Sequence, residues 1–251
     1  YVRPEVPFQH PNALAHYLGA SLGVAWWFTQ GKRSWFGWVG SALILAGVFF
    51  TTSRGGLLAS LVTLAWIGTL MVSSRKGFHV KRLFVAGLLV LACGSFLFFT
   101  PVGRGFTGKL VGESHLTRVH DRLELWSDSL WLYRESPLIG MGPGMFAVLQ
   151  EQVLGKEGII AHNEYLTALT EQGPVGLVAL LFLLGNLLWI SVRIAPREPL
   201  AVVGSAVVVH SAAHGFVSNV LQLRIFWVGI ALVLVSAFLS ERPRCQEEHC
   251  V

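Results

Sequence analysis

Residues 174–190 read PVGLVALLFLLGNLLWI, a run in which no position carries a charge. A helix that is apolar on every side has to be surrounded by protein or by lipid. One crossing of a bilayer needs about 17–25 such residues, and runs of that kind recur at 12–29, 35–52, 56–73, 83–100, 166–192, 200–220 and 223–240. Only 13% of the chain is charged, against roughly 25% in soluble domains, so the runs cannot all be folded into a solvated core. The expected fold is therefore an all-α polytopic membrane protein of about seven transmembrane helices. Residues 1–251 form a single transmembrane domain, and 101–165 form one long extracytoplasmic loop within it. The chain starts at Tyr1 with no signal-peptide pattern before the first run, and is expected to be a piece of a larger polytopic protein.

Charge placement gives the topology. Lys32 and Arg33, then Arg75, Lys76, Lys81 and Arg82, then Arg193 and Arg197, then Arg242 and Arg244 fall in every second connection. The positive-inside rule puts these segments in the cytoplasm, which leaves the amino-terminal segment, the TTSRGG turn, the long loop and the VLQLR turn outside. The net charge of +5 thus reflects orientation among membrane lipids, and its scatter through short loops argues against nucleic-acid binding. Cys93, Cys245 and Cys250 make neither a disulfide framework nor a metal-ligand pattern.

Within the loop, VHDRLELWSDSLWLYRESP has Val119, Leu123, Trp126 and Leu130 at helical spacing, predicting an amphipathic helix that Pro137 stops. Its tryptophans suit the interface between lipid and water. A glycine-rich turn, IGMGPG, follows; it lacks the spacing of a dinucleotide loop, and its amides are suited to facing an anion. HNEYLTALTEQ then continues helically into the fifth span.

Several polar groups stand out against this apolar background. Arg54 sits in a turn too short to be a domain, at the lipid surface, where an unpaired charge is costly and an ionisable residue points to function. Arg122 lies beside Asp121 and Glu124, a setting usual for a solvated surface arginine. His210 and His214 are four apart on one helical face, a zinc-compatible spacing, but the motif offers no third ligand and no glutamate base; packing histidines are expected, and no metal. His162 stands at the boundary of water and lipid, Asn163 is placed to cap or orient, and Glu164 and Glu171 fall on nearly one helical face. A neutral imidazole accepts a proton near neutral pH, while arginines grip a pyrophosphate bidentately and stabilise it as it leaves.

The ordered stretches QHPNALAHYL, TTSRGGLLAS, DRLELW, SPLIGMGPGMF and AHNEYLTALTEQGPVGL resemble the O-antigen ligase and O-antigen polymerase superfamily of bacterial membrane glycosyltransferases. The resemblance implies a GT-C-like, metal-independent enzyme needing no cofactor, of which this chain is the carboxy-terminal catalytic portion. By it, Arg54 and Arg122 are the two essential arginines that bind the pyrophosphate of an undecaprenyl-linked glycan donor, and His162 is the base that deprotonates the acceptor hydroxyl. Arg3, Asn12, Asn163, Glu171 and Gly142 are implied as further substrate-binding residues. The implied acceptor is lipid A core or another glycan, with the active site facing the periplasm from the bacterial inner membrane.

Three related activities share these motifs: ligation, polymerisation of repeat units, and protein O-oligosaccharide transfer. A transporter of lipid-linked sugar is the rival from another class; it predicts ionisable groups near the bilayer midplane, whereas the groups above cluster at one face.

Overall fold

The computed structural model describes residues 10–74, 114–156 and 158–241. Arg3, the expected span at 83–100 and the first part of the loop lie outside them. Among the described residues the regular structure is all helical, with no strand: α1 Pro11–Ala20, α2 Leu22–Thr29, α3 Trp35–Phe50, α4 Arg54–Ser74, α5 Ser114–Tyr133, α6 Met145–Leu154, α7 Glu164–Ile194, α8 Leu200–His214 and α9 Arg224–Glu241.

Three of these, α4, α7 and α9, are long and apolar enough to cross a membrane, and α3 and α8 are shorter apolar helices. The run at 12–29 is two helices rather than one. At Ser21 the hydroxyl donates back to the Tyr17 carbonyl (2.8 Å) and the amide is shared between Tyr17 and Leu18, a local tightening of the kind that bends helices.

The centre of the bundle is α8, buried continuously from Ala201 to Ser211 and packed against α1, α2, α4, α7 and α9. Its small residues let neighbours close in: a Cβ on Gly204 would meet the Val233 amide at 2.8 Å. Polar side chains gather inside, with Ser60, Thr63, Ser191, Ser205, Ser211 and Ser236 fully buried. Several are bonded within or between helices, as where the Trp66 indole donates to Ser205 Oγ at 3.0 Å. The outside is apolar, and Trp38, Val175 and Phe182 are each more than two-thirds exposed. An apolar exterior around a partly polar interior is the arrangement that lipid requires.

The fifth span is not the single helix expected. Gly173 has φ 69°, ψ −171°, and Pro174 follows inside α7. Proline has no N–H to donate to the carbonyl of Thr170, and the left-handed glycine turns the chain away. The glycine-rich turn fills the gap: Met141 N–H donates to the Thr170 carbonyl at 2.9 Å and Gly142 N–H to that of Glu171 at 2.8 Å. The 21 residues after the break span about 31 Å at 1.5 Å per residue, matching a hydrocarbon core of about 30 Å.

The loop helix α5 turns its more polar side inward. Leu123 and Leu130, on the apolar side read from the sequence, are exposed, whereas Ser129 and Leu132 are buried. Arg122, Trp126 and Ser129, at i, i+4 and i+7, share the inward side, and the leucine stripe faces outward, as an interfacial helix requires.

Candidate active site

One end of the bundle collects the starts of α1, α4, α7 and α9 and the end of α8. Glu164, the first residue of α7, makes this junction. Its N–H donates to the Gly215 carbonyl (2.8 Å), and its buried carboxylate accepts from Val220 N–H (2.6 Å) and Leu221 N–H (3.1 Å). The α8–α9 turn is thereby tied to the residue two places after His162. On the other side, Gly55 lies against Val217 and the His214 ring, while a Cβ on Gly56 would come within 2.5 Å of Ala15 Cβ. The two glycines after Arg54 thus admit α8 and α1 against the start of α4.

Arg54 opens α4 and its side chain is exposed. Ser53 caps the helix, its Oγ accepting from Gly56 N–H at 3.1 Å. A cation at a helix amino terminus opposes the helix dipole, so Arg54 does little for the helix itself; an anion held there would be favoured by guanidinium and dipole together. Thr52, two residues earlier, and His162 are the non-glycine residues with left-handed backbone among those described, at φ 56° and 50°. Such conformations cost of order 1–3 kcal/mol and gather at functional sites.

His162 is held from both sides. After it, Asn163 caps α7, its Oδ1 accepting from Tyr165 N–H (3.0 Å) and Leu166 N–H (3.1 Å). Before it, the Ala161 carbonyl accepts from the Trp126 indole (3.1 Å), one helical turn along α5 from Arg122. Lys156 reinforces this lobe by bridging Glu124 and Asp128 on α5, and those carboxylates hold its ammonium above the ordinary lysine range. Burial first, then the charge of Arg122 and the neighbouring His10, keep the His162 imidazole below its usual 6.5. The His10 ring centroid lies 6.5 Å from that of His162, and its Nδ1 accepts from Asn12 N–H at 3.2 Å, capping α1.

Arg54, His162, Asn12 and half-buried Arg122 therefore lie on elements that meet at one end. Glu171 and Gly142 are used differently. The Glu171 carboxylate accepts from Gly144 N–H (2.8 Å) and Phe146 N–H (3.3 Å), at the start of α6. The anion expected in front of the glycine-rich amides is thus the protein's own, and Gly142 bonds to the same residue's carbonyl. His10 and Arg224, the exposed first residue of α9, belong to this end as well; their signals in sequence were the H-P-N motif and a lone arginine in an outer turn. The basic Lys32, Arg33, Arg193 and Arg197 flank the opposite end, where Ala195 packs with Trp26 and Met71 and Arg193 stacks 3.9 Å over the Trp189 ring.

A helical bundle with apolar sides and three helices long and apolar enough to cross a bilayer has the form of a membrane protein. A family model described as O-antigen ligase matches residues 39–181, more than half of the chain, and the chain belongs to that family. No curated protein matches it. Membership carries a glycan-transfer role in O-antigen assembly, with a lipid-linked glycan as donor and a glycan as acceptor.

Proposed function

We propose that the chain transfers a glycan from an undecaprenyl-pyrophosphate donor to a hydroxyl of lipid A core, at the periplasmic face of the bacterial inner membrane. The observation that carries this reading is that His162, within electrostatic reach of Arg122, and the Arg54 turn, packed on His214 and Val217, lie on elements joined at the end of the bundle away from the basic connections. Neutral Nδ1 or Nε2 of His162 takes the proton of the acceptor hydroxyl, and the oxygen bonds to the anomeric carbon as the bond to the pyrophosphate oxygen breaks. The electron pair and negative charge go to the departing lipid pyrophosphate, where Arg54, Arg122 and the amino terminus of α4 stabilise them. After burial, the charge of Arg122 weakens His162 as a base, and a pyrophosphate held by Arg122 neutralises that charge, so donor binding raises the basicity of His162 when it is needed. Asn12 and Asn163 orient the site, Glu171 and Gly142 position its loop, and Arg3, upstream of the H-P-N motif, adds a cation.

The test is complementation. The full-length gene, and its Arg54→Ala, Arg122→Ala and His162→Ala forms, are placed in strains lacking either the ligase or the polymerase, and surface glycan is compared at matched protein abundance. Restored attachment by the wild type, lost in all three variants, is expected. Restoration of chain length alone makes the enzyme a polymerase. Attachment that persists in all three variants removes the site proposed here.

A further inference from the structure

Inward of the Arg54 turn, α1 and α8 bring together three histidines, His16, His210 and His214, each with no solvent exposure. The cluster is built around them. Gly19 lacks the Cβ that would overlap the His210 ring and would stand 2.5 Å from Ser60 Oγ. The His16 and His214 rings stack at 5.2 Å, with their Nδ1 atoms 3.2 Å apart.

The hydroxyls around the cluster assign its tautomers. Thr63 donates its hydroxyl proton to the Ala59 carbonyl (2.7 Å) and therefore accepts from His210 Nδ1–H at 3.2 Å. Ser211 donates to the Val207 carbonyl (2.8 Å) and therefore accepts from His16 Nε2–H at 3.4 Å. A neutral imidazole has one N–H and one lone pair, so His210 Nε2 and His16 Nδ1 are bare. His214 can donate to His16 through Nδ1 and then leaves its own Nε2 bare. Nε2 of His210 and Nε2 of His214 are buried with no hydrogen-bond partner. Three lone pairs are thus gathered in a sealed space that supplies one donor for them, and a buried acceptor left without a donor is costly.

We propose that His16, His210 and His214 bind one zinc-like divalent transition-metal ion, which locks α1 to α8 beneath the active site. One nitrogen from each ring lies within 4.8 Å of the others. Tetrahedral zinc with bonds of about 2.0–2.1 Å sets its ligands roughly 3.3 Å apart, close to the 3.2 Å between His16 Nδ1 and His214 Nδ1; binding through that pair moves the His214 proton from Nδ1 to Nε2, and the broad χ2 torsion of histidine accommodates His210 Nε2 as the third ligand. Imidazole sets favour zinc, copper, nickel and iron over magnesium or calcium. Thr63 and Ser211 supply the outer hydrogen bonds that fix which ring nitrogen faces the ion. Three histidines leave the fourth tetrahedral position to a small ligand such as water; full burial keeps substrate from the ion, so its role is structural and leaves proton transfer at His162 untouched.

The experiment uses full-length protein purified without an oligohistidine tag, stripped with a chelator, and titrated first with Co²⁺ and then with Zn²⁺. The wild type is expected to develop the visible absorption of nitrogen-ligated Co²⁺, saturating at about one equivalent per chain for a single site. Zn²⁺ should bleach that absorption and raise the melting temperature. His16→Gln and His210→Gln lose the absorption. Should either fail to fold, Thr63→Val decides: it keeps all three ligands but weakens binding by about 10–100-fold, as loss of an outer partner does. A stripped wild type with no Co²⁺ absorption and no thermal response to Zn²⁺ overturns the site, as does absorption that persists unchanged in all three variants. A melting temperature that responds to pH but never to metal also overturns it, and gives the bare nitrogens a shared proton instead.

Discussion

The indole N–H of Trp126 donates to the carbonyl of Ala161 at 3.1 Å, so a residue one turn from Arg122 is fastened to the residue just before His162. This bond is one of those that fasten the loop helix to the start of α7, beside the bond from Thr170 Oγ1 to the Ser129 carbonyl. Trp126→Phe keeps most of the ring and deletes the donor. It should cost about 1 kcal/mol of stability, the usual net worth of such a bond, and lower transfer rate by a larger factor than the same change at exposed Trp131. Melting curves and initial rates on the two variants check this; equal rates in both would separate the bond from the positioning of Arg122.

The left-handed backbone of His162 gives its replacements opposite consequences. Glycine adopts that conformation freely, so His162→Gly should match or exceed the wild type in thermal stability while losing transfer. His162→Ala keeps the strain and loses transfer as well. If the glycine variant melts well below wild type, the ring is holding the fold rather than serving the reaction.

The acid side of the pH profile should carry the signature of Arg122. Because His162 is held below 6.5 by burial, Arg122 and His10, it stays neutral and able to accept a proton to lower pH than a free imidazole. The acid limb of kcat/KM is therefore expected below 6.5. Arg122→Gln removes one of the depressing charges, so its limb should move to higher pH, alongside a lower maximum from weaker pyrophosphate binding. A limb that stays in place in Arg122→Gln would mean that another group titrates there.

Much of the architecture could be read from residue order because lipid imposes a length: the helices α3, α4 and α9 start and stop within a few residues of the apolar runs, whereas α8 stops at His214, short of its run, and α7 is broken at Gly173. What could not be read depends on partners distant in sequence. His210 and His214 announce themselves as a pair, but His16, bonded to His214 from 198 positions away, has no local signal. The inward face of α5 could not be read either, because its leucines mark an apolar side and in a membrane protein apolar residues look outward as readily as inward. Arg122 illustrates the same limit. Its neighbours in sequence describe a surface arginine, and only the family resemblance separated it from one. Glu171 could be seen as an acid near a glycine-rich turn; that it caps α6 followed only from the fold of the loop.

The break at Gly173 has one more consequence. Helix α7 hands two of its carbonyls to residues 141 and 142, and a Cβ on Gly140 or Gly173 would strike the other segment's backbone. Neither segment is a separable part. Anyone exchanging loops between relatives would have to move residues 138–146 and 170–174 as one cassette, since a graft of either alone would leave a span with unmatched carbonyls at its mouth.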